Sequence, residues 1–153
     1  MKKVIALTMG DPSGISTEIT IKAWKSKKVE NPFFIIHDPD YVKNIAMKMG
    51  KSINIRVISS VDEASKYFSN YLPIMPIEIS KKTKLGIPDK SNVESILKSI
   101  NLAVDLVKKK QVMAIVTNPI SKDIISLKNK NFSGHTEYPV SYTHLTLPTS
   151  QYV

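Results

Sequence analysis

Apolar residues fall in short blocks separated by longer amphipathic stretches, and the blocks predict alternating strands and helices. Residues 4–9, VIALTM, form a short apolar run stopped by Gly10 and Pro12, which predicts a buried strand. Over residues 15–26, Ile15, Ile19 and Ala23 share one helical line, and Ile21 and Trp24 share an adjoining one. Residues 33–36 are a second apolar run, closed by His37-Asp38-Pro39. Asp40 can cap a helix running through Met49, with Gly50 placed to end it. Ile53, Ile55 and Val57 alternate with polar residues and predict a half-buried third strand, and residues 61–68 predict a short helix. Residues 71–80 alternate too, but Pro73 and Pro76 limit them to an edge strand or an extended segment.

The clearest helix follows. Ser91-Asn92-Val93-Glu94 has the form of a capping box, and Val93, Ile96, Leu97, Ile100, Val104 and Val107 make one apolar stripe. Lys108, Lys109 and Lys110 suit the negative end of its dipole. Residues 112–116 predict a fourth buried strand, broken by Asn118-Pro119, and Ser121 can cap a helix over residues 122–127. This alternation implies an α/β fold: a largely parallel sheet with covering helices. In such folds ligands bind beyond the carboxyl ends of the strands. The loops at that end are residues 10–14, 37–39 and 117–121, where polar and turn-forming residues gather.

Composition narrows the function classes. A chain of 153 residues, 42% hydrophobic and 23% charged, suits about one globular domain. No apolar stretch approaches the ~20 residues that span a bilayer, so no membrane partner is expected. The lysines near the N-terminus and the run behind them imitate a signal peptide, but the run is too short and ends in Gly-Asp-Pro. The absence of cysteine fits a cytoplasmic location. The formal charge is +9, yet Arg56 is the only arginine and the lysines are scattered. That pattern reads as a solvated lysine-rich surface, or as attraction for a small anion, before it reads as a nucleic-acid partner.

The candidate chemistry is thin when each motif stands alone. Residues 10–18, GDPSGISTE, join a strand to a helix without forming a dinucleotide or P-loop fingerprint. Thr117 or Lys122 could face a ligand from the next such junction. His135 lies in a polar loop near Glu137, His37 sits beside Asp38 and reads as structural, and no closely spaced pair of histidines suggests a self-contained metal site.

Three stretches taken together change the picture. ALTMGDPSGISTEI, AIVTNPISK and FSGHTEY occur in order, and over residues 1–138 the chain resembles the 4-hydroxythreonine-4-phosphate dehydrogenase (PdxA) family. The resemblance implies a fold like isocitrate and isopropylmalate dehydrogenases and a homodimer. It implies oxidation of the secondary alcohol of 4-phosphohydroxy-L-threonine by NAD or NADP, with decarboxylation, in pyridoxal phosphate biosynthesis. It also implies a divalent metal (Zn, Mg, Mn or Co) acting as a Lewis acid. Of the family's site residues, the substrate-contacting His and Thr of the G-H-T-E motif fall on His135 and Thr136. The metal ligands, cofactor pocket and phosphate-binding residues are expected beyond the part of the family that this chain spans. On that reading the chain is truncated, an N-terminal portion inactive by itself.

The chain departs from the family pattern in two places. Ser16 and Thr17 stand where the pattern has Gly-Pro, and both can support a helix start. Residues 139–153, PVSYTHLTLPTSQYV, match no family continuation and read as a non-native tail, which makes His144 an accident beside His135. Two alternatives stay open. One is a paralogue acting on another phosphorylated hydroxy acid, such as threonate 4-phosphate. The other is a small lysine-rich module that binds anions or nucleic acid.

Overall fold

The computed structural model describes residues 3–128. In chain order the elements are β1 (Ile5–Leu7), α1 (Ser16–Ser26), β2 (Phe33–His37), α2 (Pro39–Lys48), β3 (Ile55–Val57), α3 (Val61–Tyr67), β4 (Leu72–Pro76), α4 (Val93–Lys108), β5 (Ala114–Val116) and α5 (Lys122–Lys128). The strands form one five-stranded sheet in the order β3-β4-β2-β1-β5, and every pairing is parallel. The α/β expectation therefore holds. His135, Thr136 and the segment 139–153 lie outside the described residues.

Apolar side chains cover both faces of the sheet, as a parallel sheet requires. On one face Ile21 and Trp24 of α1 and Val42, Ile45 and Ala46 of α2 pack on Leu7, Phe33, Ile35, Leu72 and Ile74. On the other, Val61 and Ala64 of α3 and Ala103 and Leu106 of α4 pack on Val4, Ala6, Phe34 and Ile36. A third cluster joins Met9, just past β1, to Val93, Ile96, Ile100 and Val104 of α4 and Ile125 of α5.

Several local expectations change. Of the two apolar lines that mark α1 in the sequence, the helix buries Ile21 and Trp24, whereas Ile15 is 59% and Ile19 38% exposed and Ser16, Thr17 and Thr20 are buried in their place. The polar residues can go inside because their hydroxyls are paired, as when Thr20 Oγ1 donates to Ser16 O at 2.8 Å. The cap of α2 is Asp38, not Asp40; its Oδ1 accepts the N–H groups of Asp40 and Tyr41 at 3.0 and 3.3 Å. Ser91 and Glu94 form no capping box. Asp89 instead accepts from Ser91 N–H to start a 3₁₀ turn, Lys90–Asn92, and Glu94 pairs with Lys98. A carboxylate does reach back to a helix start at α3, where Glu63 accepts from Ser60 N–H at 3.2 Å.

The proline-containing segment is an interior strand rather than an edge. β4 lies between β3 and β2, and the reason it can is positional. On the β3 side Leu72 N–H donates to Asn54 O, and Ile58 N–H donates to Ile74 O; on the β2 side Ile77 N–H donates to His37 O. Alternation turns Pro76 toward β3 just beyond its last residue, Val57, and Pro73 toward β2 just ahead of the first pair, Ile35 with Ile74. Each missing donor thus falls where a ladder ends. Among the described residues β5, expected to be buried, pairs only with β1, and Val116 is 47% exposed.

Candidate functional site

The order of the strands locates a crevice before any side chain is considered. From β1 the chain leaves through α1 to β2 on one side, while β5 lies on the other. The connections therefore diverge at the seam between β1 and β5, the kind of switch point at which open α/β sheets bind ligands. The loops above that seam are residues 8–15 and 117–121, two of the three singled out from the sequence.

The loops are built into one another. Thr8 N–H donates to Val116 O at 3.0 Å, extending the ladder one step beyond β1. Asn118 then bridges the seam: its N–H donates to Thr8 Oγ1 at 3.2 Å, and its Nδ2 donates to Thr8 O at 2.9 Å and Thr20 Oγ1 at 3.0 Å. Both amide protons are thereby used inside the protein. One residue on, Pro119 O accepts Asp11 N–H at 2.8 Å and Ser16 Oγ–H at 2.9 Å. Gly10 lies between these groups at φ 70°. A Cβ there would stand 2.3 Å from Ser16 Oγ and 2.6 Å from Asn118 Cβ, so the crevice floor admits only glycine.

The outer wall of the β1–α1 loop is tied to three other elements. Tyr41 Oη donates to Pro12 O at 2.5 Å, and Gly86 N–H donates to Ser13 O at 2.7 Å. Met9 N–H donates to Ser99 Oγ of α4 at 2.8 Å. Within the loop, Asp11 Oδ1 accepts Ser13 N–H at 2.9 Å. Ser13 Oγ is buried without a partner among the described residues. Burial, then the nearby Asp11 carboxylate, pushes the Tyr41 hydroxyl up to about 12, so it stays a donor.

His37, at the end of β2, is fully buried. Its Nε2 lies 2.9 Å from Thr17 Oγ1, and its Nδ1 accepts Asp38 N–H at 2.7 Å. Burial lowers its pKa from 6.5 to about 4, against the opposing pull of Asp38. Tyr41 stacks on the ring at 5.6 Å between centroids. Asp38 is equally committed, since its Oδ2 accepts Ile79 N–H at 3.2 Å in addition to its capping role. The third loop, residues 37–39, is thus spent on structure, as the reading of His37 expected.

In these loops and at the start of α5, Thr117 and Lys122 are exposed and Asp11 is half-buried. Among the described residues no group of three or more His, Cys, Asp or Glu side chains is placed to hold a metal ion. With both His37 nitrogens engaged, these residues do not fit the metal that the resemblance implies, and nor do they form a recognisable nucleotide cradle. Sequence reasoning marked the loops but missed Asn118, Thr8 and Tyr41 as the groups that join them. The one signal for Asn118 was its place between a strand end and a proline.

Residues 28–149 match the family described as pyridoxal phosphate biosynthetic protein PdxA. That match takes in part of the segment 139–153. The chain is 37% identical over 138 residues to a 4-hydroxythreonine-4-phosphate dehydrogenase of Methylorubrum populi, covering 88% of this chain and 39% of that one. A relative of the same name from Methylorubrum extorquens is 38% identical over 138 residues, with the same shares. The fold is also that of a 4-hydroxythreonine-4-phosphate dehydrogenase from Klebsiella pneumoniae: TM-score 0.85 at 27% identity, covering 95% of this chain and 46% of that chain. The chain therefore spans about two fifths of the length of the curated relatives it matches.

Proposed function

The chain belongs to the PdxA family, and from that premise we propose that it supplies part of a dehydrogenase acting on 4-phosphohydroxy-L-threonine. The observation that carries the reading is the seam where Asn118 and Pro119 join the β1 and β5 loops at the switch point. It joins two loops at the place where α/β folds bind substrates, in a chain whose relatives are named for that oxidation. The lysine-rich surface suits a phosphorylated substrate, because its field raises the local concentration of anions.

In this reading residues 1–138 contribute one side of the substrate site. His135 and Thr136, beyond the described residues, contact the substrate. NAD or NADP takes the hydride, and a divalent metal polarises the reacting oxygens, with ligands drawn from outside the described residues. The working form is a cytoplasmic homodimer. The role left to the described residues is to position: the Asn118 bridge and the loop above it hold the floor fixed, so that ordering it costs nothing when substrate binds.

The test uses residues 1–138 joined to the continuation of the Methylorubrum populi relative. Reduced-cofactor absorbance is followed with zinc, manganese or magnesium, NAD or NADP, and either 4-phosphohydroxy-L-threonine or threonate 4-phosphate. Metal-dependent turnover of the amino substrate supports the reading, and preference for threonate 4-phosphate moves it to a paralogue. His135→Ala should lower kcat/KM about ten- to a hundredfold, the worth of a hydrogen bond to a charged ligand. Turnover by the parent chimera that His135→Ala leaves unchanged would reject the assigned contact.

A further inference from the structure

The two positions where the chain departs from Gly-Pro are bonded to opposite sides of the crevice. Ser16 Oγ donates to Pro119 O on the β5 side, and Thr17 Oγ1 meets His37 Nε2 on the β2 side. Neither glycine nor proline has a side chain able to make these bonds. Both residues are about 1% exposed, so neither bond competes with water.

The direction of the second bond follows from its neighbours. His37 Nδ1 accepts the N–H of Asp38, so that nitrogen carries no proton. The proton of the neutral ring is on Nε2, which donates to Thr17 Oγ1. The tautomer is set by a backbone group that is itself fixed, because Asp38 caps α2. Tyr41, on the first turn of that helix, stacks on the ring and reaches past it to Pro12 O. The rigid corner between β2 and α2 thus grips the β1–α1 connection twice: at its loop through Tyr41, and at its helix start through His37.

We propose that Thr17 and His37 are a positioning pair, in which the Nε2–H tautomer of His37 anchors the first turn of α1 and holds residues 10–15 over the β1–β5 crevice. Its bearing on turnover rests on the crevice being the substrate site; its effect on the loop does not. The pair acts through the loop and touches no substrate.

The chimera described above serves for the test, with Thr17→Val, which keeps the shape and removes the hydroxyl, and Thr17→Ser, which restores it. Amide hydrogen exchange at residues 11–15 should quicken about tenfold in Thr17→Val beyond any change at Phe34 and Ile36, which report global opening. Thr17→Ser should return to within about twofold of the parent. The nitrogen shifts of His37 should show Nε2–H in the parent. Exchange at residues 11–15 that only tracks the strand, or an Nδ1–H tautomer, overturns the pair. If the parent chimera turns over substrate, Thr17→Val should raise KM several-fold more than it lowers kcat, with rescue by Thr17→Ser. Equal kinetics in both variants would overturn the link to the site while His135→Ala still reports on the proposed reaction. An inactive parent chimera would count against the proposed function, and the exchange and tautomer results would decide the pair alone.

Discussion

Acidification should destabilise this protein through the buried His37 as pH falls below 6.5. Its folded pKa is about 4, lowered from 6.5 by burial. Between those values the unfolded chain binds a proton that the folded chain refuses, so stability rises with pH across the window. The contribution is complete above 6.5 and is lost as pH falls from 6.5 toward 4. At about 1.4 kcal/mol per pKa unit the full span is worth roughly 3 kcal/mol, and about 2 kcal/mol of it goes between pH 7 and pH 5. Burial sets the sign: Asp38 favours the charged form without offsetting it, and Thr17 from α1 and the stacked Tyr41 from α2 offer no compensating charge. The assay is urea unfolding at pH 7, 6 and 5 for the parent and for His37→Gln, which cannot titrate. The variant should be less stable at pH 7 yet lose roughly 2 kcal/mol less on going to pH 5. Parallel pH profiles for the two proteins would refute the reasoning, since a shared slope cannot come from His37.

The crevice floor makes two further predictions. Gly10→Ala places a Cβ against Ser16 Oγ and Asn118 Cβ and strains a backbone at φ 70°, so it should cost more than about 2 kcal/mol by urea unfolding; Gly50→Ala, where φ is also positive but no atom lies within 4 Å, should cost only about 1. Asn118→Ala removes the donors to Thr8 O and Thr20 Oγ1 in a buried site and should cost roughly 2–3 kcal/mol, with faster amide exchange at residues 8–11 than elsewhere.

The fold class was legible because strand and helix periods alternate cleanly along the chain, and the crevice loops were legible because turn residues interrupt those periods at one end of each strand. Other features were decided by contacts far apart in sequence. Hydrophobicity showed only the Ile21 and Trp24 part of the inward face of α1, because Thr17 and Thr20 are buried by virtue of partners at His37 and Asn118. The interior place of β4 depended on where two neighbouring strands end relative to Pro73 and Pro76. The place of β5 at one end of the strand order among the described residues is not encoded in its own apolar run. Caps showed the same limit of local pattern: Ser91 and Glu94 had the right spacing, but Asp89 starts a 3₁₀ turn ahead of them. His135 and Thr136 came from resemblance alone.

The central claim is that substrate sits at the seam between β1 and β5, and amide shift mapping tests it most directly. Isotope-labelled chimera is titrated with 4-phosphohydroxy-L-threonine in the presence of metal and without cofactor. The amides of residues 10–15 and 117–121 should shift together and saturably, while those of β3 and α3, at the far edge of the sheet, stay in place. Saturable shifts centred on β3 and α3, with the seam unmoved, would contradict the account.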